Sequence, residues 1–73
     1  MEKYKSDFIK EEDIKINVSK RNLDEDAVIR IVEVKHIPSG FIASSEDKSQ
    51  VRAYNQAIVL LEDMITSYIN SQF

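Results

Sequence analysis

The chain has 73 residues, 42% hydrophobic and 32% charged, the balance of one small soluble domain, and its net charge of −3 argues against a general nucleic-acid surface. It has no cysteine, which excludes a disulfide framework, a thiolate metal site and a cysteine nucleophile. No apolar run approaches the roughly 18 residues of a membrane span, and the lysine-rich, acidic start is not a signal peptide. We therefore expect a cytoplasmic protein that makes no membrane contact.

Residues 1 to 10, M-E-K-Y-K-S-D-F-I-K, place Tyr4 and Phe8 four apart with Ile9 beside them. One or two helical turns would lay those rings on the sheet edge. The alternative is an arm pinned by Phe8, since so short a helix is marginal alone. From Asp13 to Ser19 the chain alternates, with Ile14, Ile16 and Val18 on one face and Lys15, Asn17 and Ser19 on the other. This is the pattern of a half-buried strand. Asn22 to Asp26 is a polar turn. Residues 27 to 37 are rich in β-branched side chains, but their alternation slips between Ile31 and Val32. A bulge near Ile31 would restore it, or the first few residues belong to the loop. Pro38-Ser39-Gly40 holds the only Pro and the only Gly of the chain and reads as a tight turn. Phe41, Ile42 and Ala43 form a short third strand.

The strongest periodic signal comes last. Val51, Tyr54, Ile58, Leu61, Ile65 and Tyr68 recur at offsets of three and four, and Ala57 and Met64 widen the stripe, as in a helix packed on a sheet. Arg52, Asn55, Glu62, Asp63 and Thr66 take the other side. Ser44 or Ser45 is placed to cap the start, with Asp47 three residues after Ser44, and Glu46 and Asp47 suit the positive end of the helix dipole. The expected fold is α+β: a short helix or arm over 1–10, three antiparallel strands near 13–19, 28–37 and 40–44, and a helix over 46–70. Connections this short make antiparallel neighbours. The result is one two-layer domain spanning 1–73, its three-stranded sheet covered by the long C-terminal helix.

H-I-P-S-G, a short strand, then an acidic residue, a basic residue and Ser-Gln opening a helix resembles the catalytic domain of bacterial class I peptide chain release factors. Part of the pattern is similar to the stalled-ribosome rescue hydrolases. Val32 to His36 matches the strand before that family's Pro-Thr-Gly turn, which Pro38, Ser39 and Gly40 replace. Lys48-Ser49-Gln50 matches its Arg-Ser-Gln, and Ala57 its helix alanine. The resemblance covers about half of the chain. It implies a fold similar to double-stranded RNA-binding domains and a partner in the ribosome or structured RNA. It implies no hydrolysis here. The family's Gly-Gly-Gln loop corresponds to residues 19–30, which contain no Gly and, within the loop itself, only Asn22 as a side-chain amide. Without Gly the backbone loses its freedom at positive φ, and Asp24, Glu25 and Asp26 would face RNA phosphates unfavourably. The family's asparagine three residues after Ser-Gln is Ala53.

Among the remaining residues, chemistry is sparse. His36 is the only histidine, stands at a strand end with no second ligand, and is read as structural. Glu11-Glu12-Asp13 and Asp24-Glu25-Asp26 are solvated runs, with no apolar pocket to raise one pKa. One Gly does not build a phosphate loop. Ser49 and Gln50 are read as fixing the helix start. We expect no catalytic residue, no metal site and no cofactor. The first 23 residues carry six basic and five acidic groups, whereas residues 24 to 73 carry four and eight. A local RNA contact is therefore expected only where Lys20, Arg21, Lys48 and Arg52 meet, and it would be weak. Two functions stand: a non-catalytic release-factor-domain-like protein that touches ribosome or RNA, or a small protein-interaction module or homodimer.

Overall fold

The computed structural model describes residues 3–71. A single turn of 3-10 helix over Glu11–Asp13 leads into β1 (Ile14–Asn22), β2 (Val28–His36), β3 (Ile42–Asp47) and α1 (Gln50–Ser71). The three strands form an antiparallel sheet in the order β1-β2-β3, and α1 packs on β2 and β3. This is the expected α+β arrangement.

Each strand exists for a local reason. The β1–β2 hairpin closes where Asp24 Oδ1 accepts the N–H groups of Asp26 and Ala27, while Leu23 N–H donates to the Ala27 carbonyl. An aspartate that satisfies the turn amides itself makes a compact turn without glycine. The β2–β3 connection uses the left-handed backbone of Gly40, φ 78°, whose N–H reaches the His36 carbonyl at 2.7 Å. Ser39 Oγ accepts the Phe41 N–H at 3.2 Å and lies 2.7 Å from His36 Nδ1, tying both ends of the turn.

The core is one cluster. Val32, Val34 and Ala43 come from the sheet, and Ala53, Tyr54, Ala57, Ile58, Leu61 and Ile65 from the helix, with Ile9 laid over the edge. Ile14 and Phe41 pack against it half-buried. The helix stripe is therefore core from Tyr54 to Ile65, with Ala53 as an added member, while Val51 at its start is only half-buried. Met64 and Tyr68 are exposed, and Tyr68 is held by an edge-to-face contact with Phe41 at 5.6 Å.

Four expectations are corrected. First, no bulge forms near Ile31, because β1 pairs with β2 without interruption from Ile14↔His36 to Asn22↔Val28. The apparent slip arises because Val32 and Val34 face the helix while Ile29 and Ile31 are half-buried on the opposite sheet face. Second, β1 and β3 both run three residues further than expected. Glu46 and Asp47 are strand, partnered with Ile31 and Arg30, rather than the first turn of the helix. Third, α1 accordingly starts at Gln50, and its cap is Ser49, whose Oγ accepts the Arg52 N–H; neither Ser44 nor Ser45 caps it. Asp47 Oδ1 in turn accepts the Ser49 N–H, so the strand end feeds directly into the cap.

Fourth, residues 3–10 contain no helix, and Met1 and Glu2 of that expected segment lie outside the described residues. Ser6 explains the difference. Its Oγ accepts the N–H groups of Phe8 and Ile9 and donates to Glu62 Oε2 at 2.8 Å, so local side-chain bonds replace helical ones. Tyr4 N–H donates to Asn55 Oδ1, and Lys3 Nζ sits 4.6 Å from the centre of the Tyr54 ring. The result is an arm along α1. Ile9, 6% exposed, pins it; Phe8, 49% exposed, does not.

Candidate functional site

Most residues that carry the family resemblance sit in structural roles, while Gln50 also lines a cleft beside β1. His36 and Ser39 share the hydrogen bond that closes the β2–β3 turn, Pro38 lies within that turn, and Gly40 supplies its left-handed residue. Ser49 caps α1, Gln50 is its first residue, and Ala57 is fully buried under the helix. Asn22, the amide nearest in position to the family's glutamine, ends β1 opposite Val28 and is exposed. The loop after it is drawn closed on Asp24, which holds its backbone inward. Among the described residues no cluster of three or more His, Asp or Glu is placed to hold a metal ion.

The four expected cations divide between two sheet faces. Lys20 and Arg21 are neighbours in a strand, so their side chains leave on opposite sides. Arg21 lies on the face away from the helix and pairs with Glu46 at 3.3 Å, both side chains about half-exposed. Lys20 lies on the helix side, directly across from Arg30. The Arg30 guanidinium donates to the Lys48 carbonyl at 3.3 Å, which draws β2 to the bend before the helix. Arg52 is exposed within the first turn of α1. The basic corner is therefore Lys20, Arg30 and Lys48 beside the N-terminus of α1, with Asp47 opposite Arg30 in the next strand. Arg30 went unremarked in the sequence because it stands in an apolar run. Its signal was the hairpin itself: a turn centred on Glu25 sets residue 30 opposite residue 20.

A second surface adjoins this corner along β1. Because α1 covers β2 and β3, Ile16 and Val18 of β1 face the helix side yet remain 45% and 44% exposed. Between β1 and α1 runs an open, largely apolar cleft of about 160 Å³, lined by Ile16, Val18, Val32, Val51 and Tyr54 together with Lys3 and Gln50. Burial raises the Tyr54 phenol above its usual pKa of 10.0, and the charge of Glu11 adds to the shift. Among the described residues, nothing in this cleft offers a nucleophile and a base within reach of each other.

No helix of the described residues is long and apolar enough to cross a membrane. Compared with protein families, with curated proteins and with solved structures, the chain finds no match.

Proposed function

We propose that this chain is a non-catalytic, release-factor-domain-like module that makes weak contact with ribosomal or other structured RNA in the cytoplasm. The observation that supports it most is the approach of Lys20, Arg30 and the Lys48 bend beside the start of α1. Cations near the positive end of a helix dipole attract phosphate. The contact is weak because Arg21 is occupied by Glu46 and Asp47 sits within the corner. With so few phosphate contacts available, affinity for RNA should be no better than about 10⁻⁵ M near physiological salt, in the range of non-specific association. Titrating a structured RNA at two salt concentrations tests this. Binding should weaken steeply with salt and fall further when Lys20, Arg30, Lys48 and Arg52 are neutralised together. Tight binding that resists salt and survives that change would overturn the reading.

A second reading, a protein-interaction module, is favoured by a different observation. The edge strand β1 carries two half-exposed apolar side chains beside an open apolar cleft. Exposed edges are ordinarily shortened, covered or charged against self-pairing, and the lysines of β1 fit that purpose as well.

A further inference from the structure

We infer that the free edge of β1 docks an extended acidic segment of another protein, which joins the sheet as a fourth strand. The inference rests on the protein-interaction reading and names its site and partner chemistry.

The hydrogen-bond phase of β1 comes first. Ile37 N–H donates to the Asp13 carbonyl at one end of the β1–β2 pair, and Leu23 N–H to the Ala27 carbonyl at the other. Both pairs continue the register of the hairpin. In an antiparallel ladder the bonded pairs alternate, so Lys15, Asn17, Ser19 and Arg21 bond to β2. The N–H and C=O groups of Ile16, Val18, Lys20 and Asn22 therefore point outward, whereas the Ile14 N–H is taken by the Glu11 carbonyl. These are also the residues whose side chains lie on the helix side. An added strand would find outward backbone groups and, over the same residues, the apolar cleft that Ile16 and Val18 border.

Charge selects the occupant. β1 contains Lys15, Lys20 and Arg21 and no carboxylate, in a chain of net charge −3. Two copies paired through β1 would set three cations of each strand against three of the other, which disfavours self-association at this edge. A complementary strand carries apolar side chains at every second position, toward the cleft, and carboxylates between them, toward Lys15, since Arg21 on that face is already paired with Glu46. Lys35 stands directly behind Lys15 and reinforces the positive side, while Glu33 stands behind the neutral Asn17. RNA has phosphates for the cations but no ladder groups for the outward amides, so the same surface suits a strand better.

The test uses the full chain, isotopically labelled, and a capped ten-residue peptide alternating valine with glutamate. The expected result is saturable binding, with shifts at the amides of Ile16, Val18 and Lys20 and at Val51 and Tyr54. Hydrogen exchange at Ile16 and Val18 should slow. A valine–lysine peptide should bind at least tenfold more weakly. Val18→Pro removes an outward N–H and leaves the β1–β2 ladder intact, so binding should vanish while the thermal transition persists. Should that variant unfold, the double change K15E and K35E, on the face that meets the carboxylates, gives the second arm: it should reverse the preference toward the valine–lysine peptide. Equal binding of the two peptides would overturn the proposal. So would protection of Ile16 and Val18 that grows with protein concentration alone, which would identify a second copy as the occupant. Shifts confined to Val59 and Leu60 would end the β1 site while leaving protein binding in place. If no peptide binds and RNA saturates the same amides, both the site and the protein-interaction reading fail.

Discussion

At the residue scale, single atoms decide turns and caps. Gly40 holds φ 78°, and a methyl group built on it would meet nothing within 4 Å, so backbone strain alone opposes a side chain there. Gly40→Ala should lower stability by about 1–2 kcal/mol, and Gly40→Asn by less, since asparagine tolerates the left-handed region. Chemical denaturation of the two variants checks this, and equal losses would point to a contact that glycine alone permits. Tyr54 gives a pH dependence. Its phenol is held above the usual value by burial first and by Glu11 second, so the folded state keeps the proton longer than the unfolded chain does. That contribution is fully present below the unfolded pKa of about 10 and is lost as pH rises beyond it. Between about pH 9 and 11, Tyr54→Phe should lose less stability than the parent chain.

At the element scale, α1 is held by one face. Ile58 and Leu61 are buried to 2% and 0% exposure between the sheet and the helix axis. Replacing either with Ala removes buried methyl groups and leaves a cavity, and should cost about 2–5 kcal/mol. In a domain of this size that is a large share of the total. Arg52→Ala, on the exposed side, should cost under about 0.5 kcal/mol. Equal losses by thermal melting would mean that the outer face of the helix is also covered. Glu62 lies between these cases, because its carboxylate receives the Ser6 hydroxyl that fastens the N-terminal arm.

At the scale of the whole molecule, the helix is longer than the sheet it covers. Twenty-two residues at 1.5 Å each span about 33 Å. Among the described residues its buried face ends at Ile65, and Tyr68, packed edge-on to Phe41, ties the last turns back. The opposite end of the molecule carries the basic corner and the glycine-free hairpin loop. That loop contains neither the glycines nor the glutamine of the motif that the release-factor resemblance would require. We therefore expect that the purified chain, added to ribosomes holding peptidyl-tRNA, releases no peptide above the buffer rate at any codon. Release that disappears on Asn22→Ala would assign to that amide the role denied here.

Interactions between residues close in sequence could be read without a structure. The strand alternation of Ile14 to Val18, the Pro-Ser-Gly turn and the three-four stripe of α1 each depend on near neighbours, and together they imply one α+β layer pair. Where two elements compete for the same residues, pattern alone misplaced the boundary. Glu46 and Asp47 satisfy the rules for a helix N-terminus, but Ile31 and Arg30 of β2 stand opposite them and extend the ladder. The cap then moves to Ser49. Position across the sheet was likewise invisible: Ile16 and Val18 have the same pattern as Val32 and Val34, yet only the latter lie under α1. A helix about 10 Å wide covers two strands spaced about 4.8 Å apart and leaves the third at its margin. Periodicity tells which side of a strand is apolar, and only packing decides whether that side is covered.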